Sequence, residues 1–205
     1  MSPAERRQQI VTLAAGLFDE SGYSSTTMDD IAREVGVAKP TLYHYFPSKD
    51  DILHAIHEEF IDLLISRHES RAGTGLRPEQ LLLEAMADIL ELMETHRGHV
   101  RVFFEHHREL PSEARGPIRV KRGHYEKIVE DLIDEGIAIG VFRETDRHLA
   151  ALATFGMCNW AYQWYRPGGA LRSREVAYQF WNYLVYGLGT DQVGTVPYDR
   201  ATPGA

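Results

Sequence analysis

Apolar residues recur at intervals of three and four along most of this chain, a spacing that places them on one face of an α-helix. The first such stripe ends at Gly22-Tyr23. No stretch alternates apolar and polar residues with the period of two that a half-buried strand requires. The sequence therefore predicts an all-α protein. The members of the first stripe are Ile10, Leu13, Ala14, Leu17 and Phe18.

A second, shorter stripe follows, and both of its ends carry helix-boundary signals. Thr27 is a suitable N-cap, because its hydroxyl can accept from the free amides of the first turn. Gly36 stands just past the last apolar position, where a left-handed C-cap favours glycine. This pattern predicts a helix of about eight residues followed by a tight turn. Its apolar positions are Met28, Ile31, Ala32 and Val35.

The helix predicted next, over residues 39–46, is short and has an unusually polar face. Pro40 suits its first turn, where the missing N–H has no helical partner. Only Leu42 and Phe46 are clearly turned inward. A short helix with such a face is suited to contact base edges and phosphates. We expect Thr41 and His44 to contact bases, Lys39 to serve either bases or phosphate, and Thr27, Tyr43 and Lys49 to hold phosphates; Pro40 completes this surface.

The stretch from Thr26 to Leu53 resembles the DNA-binding domain of the TetR family of bacterial repressors. The resemblance covers roughly residues 5 to 55. It implies a three-helix helix-turn-helix domain joined to a helical domain for ligand binding and dimerisation. The residues that carry the resemblance are Thr27, Ile31, Ala32, Gly36, Val37, Leu42, Tyr43, Tyr45, Phe46, Ser48, Lys49 and Leu53.

The rest of the chain predicts six further helices and no repeat. We expect a DNA-binding domain over residues 1–50, a ligand-binding and dimerisation domain over 51–190, and a frayed tail over 191–205, which is poor in apolar residues. Gly116-Pro117 is a point where one long helix could bend or split. The predicted spans are 48–71, 78–95, 97–110, 112–139, 146–165 and 173–187.

The last two predicted helices carry apolar residues on more than one side. A helix that is apolar all round is buried on both sides, so one face needs a partner. The resemblance implies the same, since TetR-like proteins dimerise by pairing their last two helices. The alternative is that both helices belong only to the core of one protomer. The residues expected at the dimer interface are Gly156, Val176, Phe180, Tyr183 and Leu184.

A ligand pocket is expected between the predicted helices that span residues 78–165. Apolar walls with a few polar anchors are typical of small-molecule sites, although each aromatic could equally be core filler. The segment Trp160-Ala-Tyr-Gln-Trp-Tyr-Arg-Pro-Gly-Gly169 resembles TetR-type repressors of lipid and sterol catabolism that respond to acyl-CoA thioesters. The expected lining is Met86, Met93, Phe103, Phe104, His107, Tyr125, Asn159, Trp160, Gln163 and Trp164.

The identity of the effector stays open at this point. A planar hydrophobic drug is the alternative to a lipid or steroid thioester, which would make the protein a multidrug-sensing repressor of an efflux gene. A DNA-binding or interaction module without any ligand is the other. Basic residues near the pocket mouth would meet CoA phosphates, or they form a solvated helix face. They are Arg101, Arg108, Arg119, Lys121 and Arg122.

Composition excludes several other classes. The chain carries a net charge of −8, and residues 1–50 hold five basic and seven acidic side chains, so nonspecific DNA affinity should be modest. Cys158 is the single cysteine, and no membrane-spanning run or signal peptide is evident, so we expect a cytoplasmic protein. No phosphate loop or nucleophile motif is present, so no enzyme activity and no cofactor are expected.

Histidines are frequent in the predicted helix over residues 97–110 and at its entry. With Glu105 nearby, metal binding is conceivable. However, no pair at the spacing of an HExxH motif occurs there, and we expect no metal site. The histidines are His96, His99, His106 and His107.

Overall fold

The computed structural model describes residues 1–187, and within them all regular structure is helical. The tail expected over residues 191–205 lies outside the described residues. Nine α-helices follow one another within residues 1–187: α1 Pro3–Ser21, α2 Met28–Val35, α3 Lys39–Tyr45, α4 Lys49–Arg71, α5 Pro78–Thr95, α6 Arg97–Glu105, α7 Ser112–Ala138, α8 Arg147–Trp160 and α9 Ser173–Tyr186. The all-α prediction is confirmed.

Helices α1 to α3 form a compact head, and both ends of α2 carry the caps that the sequence predicts. The Thr27 hydroxyl accepts from the Asp30 amide, and the Asp30 carboxylate accepts from the Thr27 amide, a reciprocal capping box. Gly36 adopts φ 73° and ψ 36°, the left-handed conformation that only glycine enters without cost. The core of the head contains Phe18, Ile31, Leu42 and Phe46, each almost fully buried.

Two helices join the head to the remaining helices, which we call the body. Helix α4 begins beside α3 and contacts α1, α5, α6 and α7 along its 23 residues. Helix α6 packs directly on α1. Gly98 makes this approach possible, since a Cβ there would lie 2.8 Å from the backbone carbonyl carbon of Ala15. Both α4 and α6 can therefore transmit a displacement from the body to the head.

Helix α5 is the centre of the body. It contacts α4, α6, α7, α8 and α9, and its buried side chains cover several sides of the helix. The buried carboxylate of Asp88 is paired with Arg71 (Nη2–Oδ1 2.9 Å) and Arg67 (3.2 Å) from α4. Because an unpaired buried charge is costly, these contacts fix the end of α4 against α5.

Two predicted helices end several residues before their expected ends, and one possible bend is not observed. Helix α6 ends at Glu105 and a short 3-10 turn covers His107–Glu109, whereas the prediction ran to residue 110. Helix α8 ends at Trp160, where a 3-10 turn begins; the Trp164 amide donates to the Ala161 carbonyl (3.1 Å), which tightens the last turn before Pro167. Helix α7 stays continuous through Pro117, which deprives only the Glu113 carbonyl, in the exposed first turn, of its helical donor.

No helix within residues 1–187 is both long enough and apolar enough to cross a membrane.

Candidate DNA-binding surface and effector cavity

Helix α3 presents its polar face to solvent, as the sequence predicts. Leu42 is fully buried and anchors the helix on the head, while Phe46 caps its C-terminal end. The exposed residues are the five that were expected to meet DNA on this helix: Lys39, Pro40, Thr41, Tyr43 and His44. An exposed second helix of a helix-turn-helix has the geometry required to enter a major groove.

Two of the expected DNA contacts are already engaged within the head. The Thr27 hydroxyl also donates to the Asp30 carboxylate (2.6 Å), and this contact lowers the pKa of Asp30. The Lys39 ammonium pairs with Asp29 at 2.7 Å, although both side chains are more than half exposed. An exposed pair of this kind contributes little to stability, so Lys39 can exchange its partner for a phosphate at small cost.

Lys49 has a different environment from the one its sequence position suggests. Its ammonium donates to the backbone carbonyls of Tyr23 (2.7 Å) and Thr26 (2.9 Å) and lies 4.2 Å from the centre of the Tyr23 ring. The Tyr23 hydroxyl in turn donates to Asp50. Lys49 thus ties the α1–α2 loop to α4. These carbonyls belong to residues more than twenty positions upstream, so no local pattern could indicate them.

A cavity of about 210 Å³ lies between α4, α5, α6, α7 and α8. Four residues expected to line a pocket do so: Phe103, Phe104, Tyr125 and Asn159. Most of the remaining wall was missed, because the apolar stripe of α4 indicated only that this helix packs against its neighbours. The additional wall residues are Phe60, Ile61, Leu64, Ile89, Arg122, Glu126, Leu152 and Phe155.

Two polar groups from one face of α7 distinguish this cavity from ordinary core. The Tyr125 side chain is buried, and its hydroxyl has no hydrogen-bond partner among the described residues. Burial raises the pKa of Tyr125, so the phenol is neutral and can donate. Arg122, one turn earlier and exposed, places its guanidinium 5.5 Å from the centre of the Phe103 ring. Tyr125 therefore contributes to the wall of the cavity while its hydroxyl is enclosed in the protein, and Arg122 and Glu126 place one charge of each sign in the wall.

The other residues expected in the pocket lie elsewhere. Met86 is fully buried in the core, and His107 is exposed in the 3-10 turn that follows α6. Trp160 and Trp164 are 64% and 46% exposed, because the end of α8 directs them outward. Met93 and Gln163 line a separate, polar cavity of about 170 Å³.

That polar cavity lies beside the contact between body and head. Its wall includes Arg97, Arg101 and Arg166. Arg101 pairs with Asp19 of α1 at 2.8 Å, and Arg97 approaches the same carboxylate at 3.8 Å. Arg101 also donates to Glu105 (3.1 Å). Arg97 and Arg101 therefore link α6 to the head, and Arg101 is paired with two carboxylates.

The outer face of α8 is apolar and uncovered in the protomer. Leu149, Ala153, Gly156 and Trp160 follow the spacing of one helix face, and all four are exposed. On α9, Tyr183 and Tyr186 are exposed as well. Of the residues expected at a dimer interface, Gly156 and Tyr183 lie on this surface, Phe180 and Leu184 are half-buried beside it, and Val176 packs in the protomer core.

The histidines around α6 form no metal-binding group within residues 1–187. His99 is buried and lies 3.5 Å from the Glu59 carboxylate, and His96 packs edge-on against it. A group of three potential ligands occurs instead between α7 and α8, where His148 contacts Glu130 (2.6 Å) and Glu126 (3.4 Å). His148 is mostly exposed, and this arrangement is that of a surface ion pair.

Two family models match the chain. Residues 10–56 match bacterial regulatory proteins of the tetR family, and residues 75–188 match the tetracyclin repressor-like C-terminal domain. The second match alone spans more than half of the chain.

Solved structures agree with this assignment. PfmR from Thermus thermophilus, a TetR-family transcriptional regulator, superposes with a TM-score of 0.82 and 31% identity over 88% of this chain and 99% of its own. The ketosteroid transcriptional regulator KstR2 of Mycobacterium tuberculosis superposes with a TM-score of 0.79 and 28% identity, over 89% of this chain and 94% of its own. AibR, solved with isovaleryl coenzyme A and operator DNA, superposes with a TM-score of 0.78 and 27% identity, over 88% of this chain and 98% of its own. The chain therefore belongs to the TetR family of helix-turn-helix transcriptional regulators, and it is not an enzyme.

Proposed function

We propose that this TetR-type repressor binds a palindromic operator as a homodimer and is released by a hydrophobic effector held in the cavity between α4 and α8. The effector class that we propose is an acyl-CoA or a related lipid or steroid thioester. The observation that carries the proposal is the cavity itself, which combines aromatic and aliphatic walls with a few polar groups, Arg122, Glu126 and Asn159.

The proposed DNA contacts use the exposed face of α3. Thr41 and His44 would contact base edges, and Lys39 would contact either bases or phosphate. Thr27 and Tyr43 remain the proposed phosphate contacts, with Pro40 lying against the DNA backbone. For Lys49, which the sequence assigns to a phosphate, we propose instead that its ammonium holds the α1–α2 loop against α4. Two copies of α3 in successive major grooves require half-sites about one helical turn apart.

The comparisons support the thioester class. AibR was crystallised with isovaleryl coenzyme A, and KstR2 is named as a ketosteroid regulator and a transcriptional repressor. Both are similar to this chain over most of its length. The rival effector is a planar hydrophobic drug, and the wall, with Arg122 and Glu126 of opposite charge, does not select against it by charge.

The size of the cavity explains how an effector would release the protein from its operator. At about 210 Å³ it is smaller than the roughly 300–1,000 Å³ that small-molecule sites usually offer, so an effector must move the surrounding helices apart. Helices α4 and α6 form part of the wall and both contact the head. A ligand that prefers the widened form therefore favours heads that are wrongly spaced for the operator.

The proposed dimer uses the exposed apolar face of α8 together with α9. We keep the division proposed from the sequence, with the DNA-binding domain over residues 1–50 and the ligand-binding and dimerisation domain over 51–190. The compartment in which such a repressor meets DNA and acyl-CoA is the cytoplasm, and we propose that location.

The test measures operator release against parallel panels of acyl-CoAs, the matching free acids and cationic drugs. We expect release by one or more thioesters, together with a rise in melting temperature that follows ligand concentration. Release by drugs and by no thioester would make the protein a multidrug sensor. Release by nothing would leave a DNA-binding module without a ligand.

A further inference from the structure

The polar cavity beside the contact between body and head has a positively charged wall. Three guanidinium groups, those of Arg97, Arg101 and Arg166, and the single carboxylate of Glu105 leave the wall with a net charge of +2. At about 170 Å³ the cavity is smaller than the roughly 300 Å³ or more of a drug-sized site, so a small ligand fits it better. A phosphate group carries about −1.5 to −2 charges near neutral pH, and guanidinium forks match its oxygens.

The three arginines are not fully committed to partners within the protein. Their ion pairs involve Arg97 or Arg101, and the exposed Arg166 forms none among the described residues. Arg97 reaches the Asp19 carboxylate only at 3.8 Å. Arg101 lies 2.8 Å from the same group, yet the buried Oδ1 atom of Asp19 accepts no well-aligned hydrogen bond. These guanidiniums can therefore accept a better partner than they have in the protomer.

Two separate elements bring the arginines to this one space. Arg97 and Arg101 stand one turn apart on the same face of α6. Arg166 opens a tight turn in which its carbonyl accepts from the Gly169 amide at 3.0 Å and Gly168 adopts φ 77°. Proline at the second position and a left-handed glycine at the third are features of a type II turn, and residues 167 and 168 supply both. The position of Arg166 at the wall is thus fixed by the backbone.

We propose that the polar cavity binds a phosphate group through Arg97, Arg101 and Arg166. The inference goes beyond the proposed function, because this site is separate from the apolar effector cavity and is lined by other residues. Inorganic phosphate and the phosphate monoester of a coenzyme present the same chemistry, and the experiment below distinguishes these two sources.

The site would connect its ligand to the DNA-binding head through Asp19. This residue belongs to α1, and Arg97 and Arg101 of α6 are the basic groups that reach it. A phosphate group that draws both guanidiniums into the cavity weakens the link between α6 and α1. Phosphate should therefore lower operator affinity, and by linkage operator DNA should lower phosphate affinity by the same factor.

The experiment measures the binding of inorganic phosphate to the full-length protein by calorimetry, with the ionic strength held constant by chloride. Arg166→Gln should weaken binding about tenfold, the effect of losing one charge-assisted hydrogen bond. Its stability should not change, because the side chain is exposed. Arg119→Gln is the matched control, since Arg119 is an exposed arginine of α7 outside this cavity, and it should bind phosphate as the wild type does.

A second pair of variants tests the competition with Asp19. Asp19→Asn removes the charge that competes for Arg97 and Arg101, so it should bind phosphate more tightly by a factor of about two to five, the range expected of a partly exposed ion pair. Its operator affinity should no longer respond to phosphate. Glu20→Gln makes the same change of charge at the exposed neighbouring position of α1 and should behave like the wild type.

Coenzyme A and dephospho-coenzyme A, which differ by one phosphate monoester, identify the source of the group. Tighter binding of coenzyme A, lost in Arg166→Gln, would identify a phosphorylated coenzyme, whereas equal binding of the two beside bound inorganic phosphate would identify the free ion. The absence of saturable phosphate binding together with equal binding of the two coenzymes would overturn the inference. Equal weakening in Arg166→Gln and Arg119→Gln would overturn it as well.

The same variants separate this inference from the proposed function. Operator release by thioesters in the wild type and in Arg166→Gln, without any phosphate binding, would overturn the phosphate site and leave the proposed effector. Operator release by phosphate and by no thioester would overturn the proposed effector class and support the phosphate site.

Discussion

The head and the body differ in how many of their side chains find partners within the protomer. In the head, Thr27 is paired with Asp30, Lys39 with Asp29, and Lys49 with two backbone carbonyls. The body contains an apolar cavity with few polar groups in its wall and exposes a full apolar face of α8. The DNA-binding surface of the head is thus already ordered in the protomer. The body, in contrast, has groups that can still bind an effector or a second protomer.

The largest expected effect comes from the uncovered face of α8. Trp160→Glu should give a folded monomer, because the side chain is exposed in the protomer and a charge there opposes only association. Operator affinity should fall by a factor on the order of 10²–10⁴, the advantage of two linked heads over one. Sedimentation and operator binding measure the two effects. Phe180 and Leu184 are less suitable targets, since both are half-buried within one protomer.

Val120→Glu is the matched control for that variant. Val120 is an exposed apolar residue on α7, away from α8 and α9 in sequence, and it should tolerate the same charge without a change of mass or affinity. A Trp160→Glu protein that remains a dimer with full operator affinity would exclude this face as the interface.

The next effect concerns how the stability of the protein depends on pH through a buried histidine that packs beside the cavity. His57 is fully buried against Phe103, and burial lowers its pKa to about 4. The unfolded chain takes up this proton near pH 6.5, so stability falls as pH drops from about 6.5 toward 4. The shift corresponds to a loss of about 3 kcal/mol. His57→Leu should remove that part of the pH dependence in denaturant unfolding.

His148 provides a control of opposite sign. Its hydrogen bond with Glu130 raises its pKa, so its contribution to stability is present at acidic pH and is lost as pH rises through the raised value. His148→Leu should therefore slightly lower acid stability, where His57→Leu raises it. An unchanged acid slope in His57→Leu would mean that His57 is protonated or hydrated in the folded protein.

A third prediction tests the contact between body and head. Gly98→Ala places a methyl group 2.8 Å from the Ala15 carbonyl carbon. Because this carbon and the Ala15 oxygen beside it are backbone atoms, α6 must move away from α1. Crowding of this kind costs about 2 kcal/mol. Gly123→Ala, in α7 with open space around it, should instead stabilise by about 0.5–1 kcal/mol. Equal melting temperatures for the two variants would show that α6 does not need this close approach.

The same comparison explains which features could be predicted from the sequence. The head is encoded locally: caps at Thr27 and Gly36 and the burial of Leu42 follow from spacing within a few residues. The cavity depends on how five helices meet, so Phe103 and Tyr125 were identified while Phe60 and Phe155 were not. Trp160 and Trp164 were assigned to the pocket because composition cannot tell which side of a helix faces outward. Lys49 shows the same limit at the start of α4, since its partners are distant in sequence.

The smallest expected effect separates the two roles that Lys49 can have. Lys49→Met keeps the aliphatic stem but removes the ammonium that holds the Tyr23 and Thr26 carbonyls. Since the site is partly exposed, we expect a loss of about 1 kcal/mol in stability, with operator affinity reduced only through the loosened α1–α2 loop. The dependence of log affinity on log salt concentration should then keep its slope. Lys39→Met should behave in the opposite way, with unchanged stability and a slope reduced by about one, because its ammonium is exposed. A Lys49→Met protein with wild-type stability and a flatter slope would show that its charge meets phosphate, and the loop contact would then be secondary.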